Sequence, residues 1–136
     1  ALTQAGYAKS TNEAFGRYLE RGTAGYVPGK RIDKRSAIDA IHAAGGIAVL
    51  AHPCKLKCDP NPLVHELVGL GLDGIEAYYP TSTEKQRDLF LTMAAHYGLI
   101  VSAGSDYHGT NREGASLGSA FCPSPHLAAI FKRFME

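Results

Sequence analysis

The chain has 136 residues, 45% of them hydrophobic and 20% charged, with 14 basic side chains against 13 acidic and a formal net charge of +1. That is the length of one domain and the balance of an ordinary globular protein; so even a charge gives no electrostatic case for a surface that tracks long nucleic acid or lies on a membrane. No apolar run approaches the roughly 20 residues that cross a bilayer, Ala1–Ser10 has no apolar signal-peptide core, and three cysteines without framework spacing favour a reducing, cytoplasmic compartment.

In chain order, Ser10 followed by Glu13 is a capping-box pattern. It opens a short helix through Ala14, Phe15, Tyr18 and Leu19 that stops at Gly22. GTAGYVPGKR reads as a loop. Asp33 caps the next helix, whose stripe is Ala37, Ile38, Ile41 and Ala44 and whose end is Gly45-Gly46. IAVLA, Ile47–Ala51, is a continuous apolar run of the kind buried on both faces of a parallel sheet. It ends at His52-Pro53, where proline biases His52 toward extended backbone. After the polar loop CKLKCDPN, Asn61-Pro62 reads as N-cap and first helical residue of a helix reaching Leu70. GIEAYY, Gly74–Tyr79, is a second strand. Thr81 with Glu84 caps a helix carrying Leu89, Phe90, Met93 and Ala94 and ending at Gly98. Leu99–Ala103 is a third strand, and Ser124-Pro125 opens a last helix with Leu127, Ile130, Phe131 and Phe134 on one face. Strands alternating with helices imply parallel pairing through right-handed crossovers.

Polar residues of ligand type fall at or near each strand end: His52 after the first, Glu76 in the second, Asp106 and His108 beyond the third. Parallel α/β architectures bring such ends to one edge, where sites are built. In extended backbone, residues i and i+2 point the same way, so Asp106-x-His108 aims an oxygen and a nitrogen donor at one point. Gly104 and Gly109 on either side permit a close backbone. A mixed His and carboxylate set suits Zn, Mn or Fe(II). The plainer readings are an Asx turn at Asp106, a hydrogen-bonded core histidine at His52 and a salt-bridged carboxylate at Glu76. His52, Cys54 and Cys58 form a weaker zinc pattern. His42, His65, His96 and His126 sit on predicted helices without evident partners. Lys30 and Arg31, beside the Gly-rich loop, are candidates to meet a phosphate. Tyr78 and Tyr79 are candidates to line a pocket.

Taken together, AGGIAVLAHP, GLDGIEAYYP and GLIVSAGSDYHG resemble the PHP (polymerase and histidinol phosphatase) metal-dependent phosphoesterases over about Ala5–Phe121. STNEAFGRYLERGTAGYVP resembles the segment preceding these motifs in bacterial members with an inserted helical subdomain. The resemblance implies an α/β fold of parallel βα units forming part of a distorted (β/α)7 barrel. Residues 1–30 would end the helical subdomain and its connecting loop, and 31–136 would form the C-terminal portion of the barrel. It implies two or three divalent ions, Mn, Zn or Fe, at the strand C-termini, with Asp106, His108 and His52 as metal-binding and catalytic residues. Glu76 and Tyr78 would line the pocket or support the metal ligands from behind, and Lys30 and Arg31 would bind phosphate. The implied reaction is hydrolysis of a phosphate ester by metal-activated water. The implied partners are a small phosphorylated nucleotide, such as a nucleoside 3′,5′-bisphosphate, or a short RNA end.

The family's opening H-x-H, its following Asp and its middle His and Glu ligands have no counterpart in this sequence. The chain starts at Ala1 in what reads as the end of a helix. It is therefore expected to be the C-terminal half of an enzyme, inactive alone, with the N-terminal half of the same protein as its missing partner. The alternatives are a noncatalytic scaffold or binding domain of the same fold and an amidohydrolase-type metal hydrolase.

Overall fold

The computed structural model describes residues 1–109 and 115–135. The chain divides into two compact units, Ala1–Ile32 and Asp33–Glu136. In the first, α1 (Thr11–Ala14) runs on into a π-type turn, Phe15–Leu19. Ser10 Oγ accepts the Glu13 N–H at 3.1 Å, while the Glu13 carboxylate accepts from Lys9 rather than from the cap itself. Ala8 and Ala14 are the buried side chains of this unit.

The second unit contains α2 (Lys34–Ala43), β1 (Val49–Leu50), a 3-10 turn (Pro53–Lys55), α3 (Pro60–Gly69), β2 (Gly74–Tyr78), α4 (Glu84–Tyr97), β3 (Ile100–Ala103) and α5 (Ser124–Met135). The strands form a parallel sheet in the order β1-β2-β3, pairing Leu50 with Ile75 and Ile75 with Val101. This is a mixed α/β unit of alternating helices and parallel strands, as the hydrophobic pattern implies.

Three local expectations are corrected. Asp59, not Asn61, caps α3, accepting the Asn61 N–H with Pro60 in the first turn. Two X-Pro pairs lie side by side, and the helix starts on the earlier one. Thr83 and Gln86, not Thr81 and Glu84, make the reciprocal capping box of α4. Gln86 Nε2 also donates to the Cys54 carbonyl at 3.2 Å, tying this cap to the turn after β1. The IAVLA segment is not buried on both faces: its strand is only Val49–Leu50, and both residues are half-buried.

Burial explains that asymmetry. Along β2, Ile75 and Ala77 are fully buried and alternate with half-buried Glu76 and Tyr78. Successive side chains point to opposite faces. The Ile75/Ala77 face packs on Val64 of α3, on Phe90, Met93 and Ala94 of α4, and beside Val101. A second cluster joins Ile38 of α2 to Ala48, Leu67 and Leu72. Helices α3 and α4 thus cover the Ile75/Ala77 face, and Glu76 lies on the other. At the N-terminal end of the sheet, Asp73 Oδ2 accepts the Ala48 N–H and pairs with His42 Nε2, each at 2.7 Å; its Oδ1 lies 3.2 Å from Arg133 of α5. Burial alone would raise the Asp73 carboxyl, but the His42, Ala48 and Arg133 hydrogen bonds outweigh it and hold the group below its ordinary value. His42, which had no visible partner in the sequence, is one of these ties.

Candidate functional site

The C-terminal ends of the strands gather Glu76, Tyr79 and Asp106 with the turn that follows β1. That turn is unusual. His52 has φ 35° and ψ 52°, and Asp106 has φ 53°. Among the described residues these are the two non-glycine positions with positive φ. The extended backbone expected at His52 from Pro53 is therefore overturned: β1 ends in a left-handed residue that turns the chain into the 3-10 turn. Its N–H donates to Glu76 Oε2 at 2.5 Å, a bond from a neighbouring strand that holds the turn in place. The expected extended geometry of Asp106-x-His108 is overturned as well. Asp106 is left-handed, and His108 Nδ1 folds back to 2.6 Å from the Asp106 carbonyl and 3.5 Å from its Oδ1. Local coiling, not strand alternation, brings oxygen and nitrogen together. Left-handed backbone in non-glycine residues costs about 1–3 kcal/mol and clusters at functional sites.

Asp106 Oδ2 accepts the Tyr79 hydroxyl and the Lys55 ammonium, each at 2.9 Å. Lys55 Nζ lies 4.6 Å from the Tyr79 ring centroid, a cation–π distance. Contact with the Tyr79 phenol, and then with the Asp106 carboxylate, raises the Lys55 pKa. The His52 ring meets the Tyr79 ring edge-on at 6.0 Å. Glu76 is half-buried, and burial pushes its carboxyl up, with the His52 N–H pulling back and the Asp106 charge pushing further up. Gly104 makes room for this carboxylate: a Cβ there would collide with Glu76 Oε1.

Lys55 and Tyr79 are the residues that sequence reading undervalued. Lys55 falls in the polar loop CKLKCDPN, and Tyr79 is one of two adjacent tyrosines that nothing local tells apart. The available signal was spacing. In a 3-10 turn residues i and i+3 eclipse, so a turn entered at His52 through Pro53 stacks Lys55 above the same edge. For Tyr79, the β2–β3 register shifts between Glu76 and Tyr78, the mark of a bulge; bulges re-aim side chains beside sites. Tyr78 lies instead against the core and His126, and it lines a cleft of about 210 Å³ with Tyr79, Ser82, Arg87 and Phe121. Cys54 packs on the core and Cys58 is exposed. Lys30 and Arg31 are exposed residues of the first unit.

The donor chemistry fits a divalent cation in part. Asp106 and His108 offer oxygen and nitrogen, and a cationic ammonium already sits on Asp106. Among the described residues, however, no group of three or more His, Cys, Asp or Glu side chains is placed to hold a metal ion.

A mixed α/β arrangement with acids and imidazoles at the strand C-termini defines a class of fold shared by many hydrolases. Within that class, the chain is 36% identical over 110 residues to a 5′-3′ exoribonuclease of Haemophilus influenzae, spanning 79% of this chain and 40% of that protein. It is 31% identical over 121 residues to a 3′,5′-nucleoside bisphosphate phosphatase of Chromobacterium violaceum, spanning 86% and 42%. The crystal structure of a protein assigned as a metal-dependent phosphoesterase, from Bifidobacterium adolescentis, superimposes with a TM-score of 0.76 at 26% identity, covering 97% of this chain and 47% of that one. The chain thus spans about 40% of the length of these curated relatives. No family model matches it.

Proposed function

We propose that this chain is the C-terminal portion of a PHP-type, divalent-metal-dependent phosphoesterase. It would hydrolyse a phosphate ester of a small nucleotide, such as a nucleoside 3′,5′-bisphosphate, or of a short RNA end. The observation that carries the reading is Asp106: its carboxylate faces His108 on one oxygen and holds Lys55 and Tyr79 on the other, at the strand edge where such fold classes build sites. Likeness to an exoribonuclease, a bisphosphate phosphatase and a metal-dependent phosphoesterase supports it.

In this reading Asp106 and His108 hold metal, and His52 joins them from the end of β1. Glu76 anchors the His52 turn, and Tyr79 orients the Asp106 carboxylate. Lys30 and Arg31 are assigned to substrate phosphate. The remaining ligands come from chain outside these 136 residues. A bound divalent ion would supply an activated water and polarise the phosphoryl group.

The test is hydrolysis of a nucleoside 3′,5′-bisphosphate by the protein at its full natural length with added Mn²⁺. Asp106→Asn and His108→Ala should each abolish turnover while leaving the fold intact. Full activity in both variants overturns the assignment. One observation favours a second reading, a noncatalytic domain on the same fold: the described residues supply too few grouped donors for a metal ion. Metal analysis of protein purified without chelator separates the two, because a folded full-length protein devoid of Mn, Zn and Fe supports the binding domain.

A further inference from the structure

After β2 the chain turns at Pro80-Thr81, where the Ser82 N–H donates to the Tyr79 carbonyl at 3.0 Å and proline takes the turn position that suits its fixed φ. The turn puts Tyr79 next to two spaces. Its hydroxyl reaches Asp106 Oδ2 at 2.9 Å, and the residue also lines the cleft of about 210 Å³ with Ser82, Arg87 and Phe121. The cleft therefore adjoins the Asp106 site. It is smaller than the roughly 300 Å³ at which pockets for whole drug-sized ligands begin, so it suits one part of a ligand held next door. Ser82 Oγ is shielded from solvent and, among the described residues, has no hydrogen-bond partner. A buried hydroxyl left so costs stability, and one χ1 rotation is all a serine needs to offer it to a group in the cleft. Arg87 Nη2 lies 3.5 Å from Glu84 Oε1, the outer limit of a hydrogen bond, and the Glu84 side chain is 82% exposed. Such a pair neutralises the guanidinium little. Among the described residues no acid lines the cleft.

We propose that this cleft binds a second phosphate of a nucleotide substrate, one that is not hydrolysed, through Arg87 and Ser82. Arg87 is then a specificity-determining residue for bisphosphates over monophosphates. The proposal rests on the phosphoesterase reading above. A guanidinium takes two phosphate oxygens side by side, and the Ser82 hydroxyl donates to a phosphate oxygen. Phe121, 76% exposed, offers a face on which the attached base can stack. Contacts to a phosphate that does not react are made equally before and in the transition state, so they act on KM rather than kcat.

The experiment compares hydrolysis of a nucleoside 3′,5′-bisphosphate and of the matching nucleoside 3′-monophosphate by the full-length protein with added Mn²⁺. Wild type should prefer the bisphosphate in kcat/KM. Arg87→Gln should cut that preference about tenfold, through a higher KM for the bisphosphate, the worth of one charged hydrogen bond. Arg87→Lys, which keeps the charge without the fork, should recover part of it. Ser82→Ala should cut the preference severalfold yet melt at or above the wild-type temperature, because it deletes a hydroxyl that has no partner in the free protein; a serine with a merely structural role would leave the preference unchanged. Melting temperatures within a few degrees of wild type verify that the Arg87 variants are folded. A wild type without the preference, or a preference that survives Arg87→Gln, overturns the role of the cleft and leaves the phosphoesterase reading standing. A wild type that hydrolyses neither substrate overturns both.

Discussion

The N–H of His52, the residue that ends β1, donates to Glu76 Oε2 on β2 at 2.5 Å. A carboxylate that is itself a candidate site residue thus fastens the backbone of another. Burial raises the Glu76 carboxyl above its ordinary value, so ionisation costs more in the folded protein than in the unfolded chain. Its contribution to stability is full below the unfolded pKa and is lost as pH rises through the raised folded value. Glu76→Gln keeps an acceptor for His52 and has no charge to desolvate. Chemical denaturation from pH 3 to pH 8 should show the variant gaining on wild type as pH rises past the usual glutamate range, then holding a constant advantage. A gap that does not change with pH contradicts this account.

His52 in left-handed backbone before a proline carries steric cost from both sides. Glycine removes the Cβ penalty and adds unfolded-state freedom of smaller size. His52→Gly should therefore leave the unfolding free energy equal to wild type or up to about 1 kcal/mol higher. His52→Val, β-branched at the same φ, should lower it by about 2 kcal/mol. Urea titration of the two variants measures the difference.

Gly104 is constrained by its neighbour rather than by its own φ. Because a Cβ would strike Glu76 Oε1, Gly104→Ala should push the flexible Glu76 carboxylate off the His52 N–H and cost about 1 kcal/mol, the worth of one hydrogen bond. In a Glu76→Ala background the obstruction is gone and most of that cost should vanish. A double-mutant cycle reads the coupling directly; additive effects place the strain elsewhere.

Much of this was legible in the chain. The helix–strand alternation followed from hydrophobic period, and Asp33, Ser10 and Gly98 bound their helices where capping chemistry puts them. The conformations of His52 and Asp106 were not legible. Proline after His52 argues locally for extended backbone, and the pull of Glu76 from a strand 24 residues away reverses it. Asp106 and Lys55 are 51 residues apart, so their ion pair has no local signature at all. The start of α4 was ambiguous for a different reason: two overlapping S/T-x-x-E/Q patterns compete, and the contact between Gln86 and Cys54 decides between them.

At the opposite end of the sheet, Asp73 joins the start of β2 to α2 through His42, to the residue before β1 through Ala48, and to α5 through Arg133. Asp73→Asn weakens those charged hydrogen bonds and should cost about 2–3 kcal/mol near pH 7. A lowered carboxyl pKa gives stability that is present above the unfolded value and lost as pH falls through the folded one. The penalty of Asp73→Asn should therefore shrink as pH drops below about 4, the ordinary aspartate range. Melting temperatures of both proteins between pH 3 and pH 7 should converge at the acid end.

The two left-handed residues also restrict what this site can become. Apart from glycine, the amino acids found most readily in that backbone region are Asn, Asp and His. At residues 52 and 106 the side chains that donate to a cation and those the backbone tolerates come from nearly the same short alphabet. Random mutagenesis selected only for a folded chain should therefore return mostly Asn, Asp, His and Gly at both positions, so several survivors would keep an oxygen or nitrogen donor without having been selected for one. Recurrence of those letters in descendants of this sequence would record backbone shape as much as chemistry.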